Sequence, residues 1–184
     1  MVMSKAPGGS DAGTQVAGEG RSFGRLVGEA SIPLANVTTA PTPLPLLRAA
    51  LAYGRAGLYV FPILELTKDE PLVKWGTRAT CDVKQIAAWW RQWPHANIGC
   101  ATGPSGLAVI DTDNQPEGNG ENTLRGLPRL TPTRMARTAG GGVHRFYWGE
   151  VGNTAGKIGP HVDTRGVGCY VVLAPSRTPK GRYV

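Results

Sequence analysis

From residue 42 onward the chain predicts an α/β (α+β) domain, preceded over residues 1–41 by a disordered leader. Three features of the sequence carry that expectation. Segments with apolar residues at helical spacing alternate with short runs rich in Val, Ile, Tyr and Phe. Residues 1–41 are rich in Gly, Ser, Ala and Thr, with only scattered apolar residues such as Phe23, Leu26 and Val27 and no sustained period. Finally, the apolar run Leu107-Ala-Val-Ile110, opened by Gly106, ends abruptly in Asp111-Thr-Asp113, the pattern of a buried strand with acids at its end.

The first ordered element begins near Thr42-Pro43-Leu44-Pro45, where Thr42 is a cap and the prolines suit a first helical turn. Leu47, Ala50, Leu51 and Gly54 recur at helical spacing, and Gly57 is placed to end the helix. Leu58 to Ile63 reads as a strand, and Pro62 assigns it to an edge or a strand end. A loop carrying Lys68 and Lys74 follows. Asp82-x-x-Gln85 has the form of a capping box for a helix with Ile86, Trp89 and Trp90 on its apolar side, stopped at Trp93-Pro94. Those tryptophans suit either a base-stacking platform or a helix-packing face, and their helical spacing favours packing. Asn97 to Ala101 is a short strand, and Thr102 to Gly106 turns the chain into the acid-bearing strand. Residues 114–135 read as loop and short helix, and Gly168 to Pro175 as the last clear strand before a basic tail, 176–184.

Three stretches carry candidate chemistry. Residues two apart on a strand share a face, so Asp111 and Asp113 aim four carboxylate oxygens at one region, an arrangement that calls for a cation or a proton to offset repulsion. The bland alternative is a solvated turn in which the acids bond nearby amides. In Thr138-Ala-Gly-Gly-Gly142-Val-His144, the glycines allow backbone amides to approach an anion, and the strand that follows puts His144, Phe146 and Trp148 on one face. In His161-Val-Asp163-Thr-Arg165, alternation puts His161, Asp163 and Arg165 on one face if the segment is extended. Asp163 and Arg165 form a surface ion pair in the bland reading; in the sharper one Asp163 is a further metal ligand and Arg165 a phosphate clamp.

Composition bounds the function classes. The 184 residues suit one domain, and a formal net charge of +7 favours a polyanionic partner. Cys81, Cys100 and Cys169 form no Cys-x-x-Cys pair and are odd in number, which argues against a zinc knuckle or a disulfide framework and for a reducing, cytoplasmic setting. No apolar run approaches the roughly 18 residues of a membrane span, so no membrane partner is expected.

Taken together and in order, these stretches resemble the N-terminal primase-polymerase (prim-pol) domain of the archaeo-eukaryotic primase superfamily, the type found in replication proteins of phages, plasmids and other mobile elements. The resemblance covers residues 44–184. It rests on Ala49 to Pro62, Lys68 to Trp75, Ala79-Thr80-x-Asp82, Trp89-Trp90, Pro94-x-Ala-Asn-Ile-Gly99, Ser105-Gly-Leu107, Gly141-Gly-x-His144 and Ala174-Pro-Ser176 as well as on the acids. It implies a two-part domain, an N-terminal α/β unit beside an RRM-like sheet bearing the acids. It implies that Asp111, Asp113 and Asp163 are catalytic and bind two Mg2+ or Mn2+ ions, that His144 contacts the nucleotide's phosphates, and that Arg165, with Gly141 and Gly142, assists in holding them. Gly142 stands where some relatives have Ser. Relatives usually continue beyond the position of Val184, often into a helicase or primase-accessory region, so the resemblance implies a domain truncated at its C-terminus.

The activity implied is template-directed nucleotidyl transfer by a DNA primase/polymerase, with single-stranded DNA and (deoxy)ribonucleoside triphosphates as partners and a replicative helicase as a further one. Two other classes stand beside it: a catalytically inactive, truncated single-stranded nucleic-acid-binding module and a metal-dependent nuclease. Lys68 and Lys74 read either as template or nucleotide contacts or as solvated surface charges. A glycosidase also uses paired carboxylates but explains neither the glycine-His motif nor the basic charge.

Overall fold

The computed structural model describes residues 43–184, and the leader expected over 1–41 and the Thr42 cap lie outside the described residues. In chain order the elements are α1 (Pro43–Arg55), β1 (Val60–Ile63), α2 (Trp75–Arg78), α3 (Val83–Gln92), β2 (Asn97–Ala101), β3 (Leu107–Thr112), the short hairpin β4 (Asn114–Gln115) and β5 (Gly118–Asn119), and α4 (Gly120–Arg125). They continue with β6 (Arg134–Arg137), β7 (Val143–Trp148), β8 (Val162–Arg165), β9 (Tyr170–Leu173) and a closing hairpin of β10 (Arg177–Thr178) and β11 (Gly181–Arg182). Helices mixed with antiparallel sheets make this the expected α/β class.

The first unit is the three-stranded sheet β1-β2-β9, covered by α1 and α3. Pro62 lies on β1, an edge strand, where its missing N–H breaks no ladder. The buried stripe of α1 is Leu46, Ala49, Ala50, Tyr53 and Gly54, so of the expected residues Ala50 and Gly54 lie on it while Leu47 and Leu51 flank it half-buried. Two contacts set that stripe: the Tyr53 hydroxyl donates to the Ala174 carbonyl at 2.9 Å, and Gly54 faces Ile86 of α3 too closely for a Cβ. Gly57 leaves the helix at φ +84°, as a C-terminal glycine should. Asp82 caps α3 through the amide of Lys84 at 2.9 Å.

The tryptophans of α3 are packing residues. Trp89 and Trp90 are 4% and 2% exposed in the core, and the Trp90 indole donates to the Ala96 carbonyl at 3.0 Å. Trp75 opens the one-turn helix α2 inside the segment expected to be loop, with its ring packed against Phe61 and Tyr170.

The second unit is the four-stranded antiparallel sheet β6-β7-β3-β8. Its β6 begins at the end of the segment 114–135 expected to hold only loop and a short helix, because Arg134-Met-Ala-Arg137 has no apolar alternation and becomes a strand by pairing with β7. Leu107, Val109, Ala136 and Phe146 of this sheet join the same buried cluster as α1, α3 and the first sheet. The basic tail is also folded: β10 and β11 pair, Tyr183 is buried, and Arg137 and Val184 exchange backbone hydrogen bonds of 2.7 and 3.1 Å. No described helix is long and apolar enough to cross a membrane.

Candidate active site

The site lies where one face of the four-stranded sheet leaves the core. Along β3, Leu107, Val109 and Asp111 share that face; the first two are fully buried and the third stands at the margin. Register then decides the neighbours. Asp111 pairs with His144 of β7 on one side and with Asp163 of β8 on the other, while Ala136 of β6 pairs with His144. Ala136, His144, Asp111 and Asp163 therefore form one row across the sheet. The next row toward the core is Arg134, Phe146, Val109 and Arg165.

Two carboxylates directly opposite across antiparallel strands repel. Arg165 offsets that charge. Its Nε and Nη2 donate to Asp111 Oδ2 at 3.2 and 3.1 Å, and the same Nη2 donates to Asp163 Oδ2 at 2.9 Å. The outer oxygens are held by the scaffold, since Asp111 Oδ1 is 3.4 Å from His144 Nε2 and Asp163 Oδ1 accepts from the Gly156 amide at 2.6 Å. Burial pushes the Asp111 carboxyl up, but contact with His144 and the Arg165 guanidinium outweigh it and hold the group below its ordinary value. The ion pair of the bland reading exists, yet it is partly buried and shared with Asp111, so it is not a solvated surface pair.

The other expected residues are placed differently. Asp113 lies just past β3 with an exposed side chain; its amide donates to the His161 carbonyl at 3.0 Å, and its carbonyl accepts from the Gly120 amide at 2.9 Å. His161 does not continue the alternation of β8. It has φ +61°, and its imidazole packs against Gly118 of the β4-β5 hairpin. The amides of Gly141 and Gly142 close the β6-β7 turn on the Thr138 carbonyl and hydroxyl, each at 3.0 Å. Gly142 is required by close approach, because a Cβ there would collide with the Thr112 carbonyl oxygen. Lys68 and Lys74 are exposed on the first unit.

Two residues not singled out from sequence belong to the surroundings. Glu121 of α4 lies behind the sheet, where it accepts from Thr112 Oγ1 at 2.6 Å and from Arg145 Nη1 and Nη2 at 2.7 and 2.5 Å. That fork braces β3 and β7 on the face opposite Asp111 and His144. Tyr183 comes from the closing hairpin and sets its ring 6.0 Å from that of His144. Burial, then the charges of Asp111 and Asp113, push its phenol up to about 12. Neither residue carries a local motif; both reach the site through tertiary contacts.

Among the described residues, no group of three or more His, Cys, Asp and Glu side chains could hold a metal ion as arranged, and Arg165 supplies the cation beside Asp111 and Asp163. The donor chemistry suits a hard divalent ion all the same. Two opposed carboxylates already demand positive charge, and Asp113 adds oxygens at the adjoining strand end.

The family described as bifunctional DNA primase/polymerase, N-terminal (Prim-Pol) matches residues 50–184. No curated protein matches the chain.

Proposed function

The chain belongs to the Prim-Pol family of bifunctional DNA primase/polymerase N-terminal domains, and on that premise we propose that residues 42–184 form a nucleotidyltransferase domain that extends or initiates strands on a single-stranded DNA template. The observation that carries the reading is the row His144, Asp111, Asp163, with one guanidinium shared between its acids. Acids brought into register from β3 and β8 and braced by hydrogen bonds are an arrangement that ordinary surface carboxylates do not reach.

In this reading Asp111 and Asp163, with Asp113 from the strand end, would hold two Mg2+ or Mn2+ ions, which when bound would supply positive charge for an attacking 3′-hydroxyl and a leaving pyrophosphate. His144, in one row with the two acids and with its Nε2 toward Asp111 Oδ1, is the residue we assign to the triphosphate. Arg165 supplies a planar fork suited to phosphate. The Gly140 to Gly142 turn keeps the strand end close-packed and sets the position of His144. The net charge of +7 draws template and nucleotide to the domain. Replication of a phage, plasmid or other mobile element, with a helicase as partner, is the setting in which we place this activity.

The test is synthesis on single-stranded DNA, with and without a primer, using labelled nucleotides and Mg2+ or Mn2+, with Asp111→Ala in parallel. Metal-dependent extended products that Asp111→Ala loses support the reading. Shortened strands indicate a nuclease. Salt-sensitive template binding with no product from folded protein indicates a binding module and overturns the catalytic assignment.

A further inference from the structure

Each acid of the central pair has one oxygen fixed by the scaffold and one covered by Arg165. Asp163 Oδ1 is held by the Gly156 amide, and Asp111 Oδ1 faces His144; the two Oδ2 atoms face the guanidinium. One nitrogen, Nη2, serves both of them at 3.1 and 2.9 Å. Among the described residues Arg165 has no hydrogen-bond acceptor besides these carboxylates, and its side chain is 31% exposed. The acids are thus positioned by β3 and β8, whereas the cation between them hangs on a flexible stem that can leave without disturbing either strand.

Resting on the reading of Asp111 and Asp163 as metal ligands, we infer that Arg165 is an exchangeable counter-cation. It neutralises the acid pair while no divalent ion is bound, competes with that ion for the two Oδ2 atoms, and once displaced is free to meet the nucleotide's phosphates. The same side chain therefore guards the empty pair and serves the loaded one. Ion binding must displace an existing charge-assisted contact, so the nucleotide-free domain binds a divalent ion more weakly than its two carboxylates alone would.

The experiment is a Mn2+ titration of the nucleotide-free chain, reading free Mn2+ by its magnetic resonance signal, for wild type, Arg165→Gln, Arg165→Lys and Asp111→Asn. Thermal melting with and without Mn2+ is a second readout and a check of folding. Arg165→Gln is expected to bind Mn2+ about tenfold more tightly than wild type and to gain a larger rise in melting temperature from it. Arg165→Lys, which keeps the charge but loses the fork, should fall between them and covers the case in which Arg165→Gln fails to fold. Binding in Arg165→Gln that equals or falls below wild type, while Asp111→Asn still abolishes it, overturns the exchange and leaves the metal site standing. Absence of any Asp111-dependent Mn2+ binding in both wild type and Arg165→Gln removes the metal-ligand reading and the inference together.

Discussion

Asp111 and Asp163 stand directly opposite one another on β3 and β8, and a single nitrogen of Arg165 lies within hydrogen-bond distance of both. Their closeness is set by backbone pairing, so it survives whatever happens to the side chains between them.

Loss of Arg165 therefore strands two facing carboxylates, whereas loss of Asp111 leaves the Arg165–Asp163 pair and removes a repulsion. In chelator, Arg165→Gln is expected to lose about 1–3 kcal/mol in denaturant unfolding, reduced from a fully buried case by partial exposure, and Asp111→Asn less. The reverse order would show that the acids are not under mutual strain.

The acid limb of stability follows from Asp111 and Glu121. Asp111 is held low despite burial by His144 and Arg165, and Glu121 is held low chiefly by the hydrogen bond from Arg145. With folded values below the unfolded ones, their stabilisation is complete above the unfolded carboxylate range of about 4 and is lost as pH falls through the folded values. Melting temperature measured from pH about 7 downward should hold and then fall below about pH 4. The double variant Asp111→Asn, Glu121→Gln should start lower at neutral pH and fall less steeply there.

Tyr183 acts on the opposite limb. Its phenol is raised from 10.0 to about 12 by burial and then by Asp111 and Asp113, so its contribution is full below 10.0 and lost as pH climbs from there through about 12. Tyr183→Phe should show a shallower loss of stability on that limb. The difference in phenolate absorbance between wild type and this variant should titrate well above an ordinary tyrosine. A group titrating near 10 would mean that the ring is not packed beside the acids.

Gly142→Ala tests the turn. The added methyl meets the carbonyl of Thr112, the residue between the first two acids, and relieving that collision moves the end of β3. Overpacking of this kind should cost about 1–3 kcal/mol in unfolding and reduce strand synthesis at the same time. Gly140→Ala, where a Cβ meets nothing within 4 Å, is the control and should change stability by no more than about 0.5 kcal/mol.

Much of this was legible along the chain. Strands β1, β2, β3, β7 and β9 and helices α1 and α3 are announced by runs of apolar residues, by Asp82 at a cap and by Gly57 at a helix end. Local sequence determines such elements because hydrophobic period and capping act over a few residues. Strand β6 and the folded tail were not legible, since neither carries its own apolar alternation and both exist by pairing with partners distant in the chain.

The candidate site divides the same way. Sequence by itself determined the family and the basic charge that favours a polyanion, and it named Asp111, Asp113, Asp163 and His144 as candidates. Tertiary structure decided who meets whom. Strand register put His144 and Asp163 on either side of Asp111, left the Asp113 side chain exposed beyond the strand, and turned His161 away through a left-handed backbone. It also gave Arg165 two acids instead of one and brought Tyr183 beside His144. The reason is physical: period says which face of its own strand a residue occupies, whereas its neighbour across the sheet depends on pairings between segments far apart in the chain.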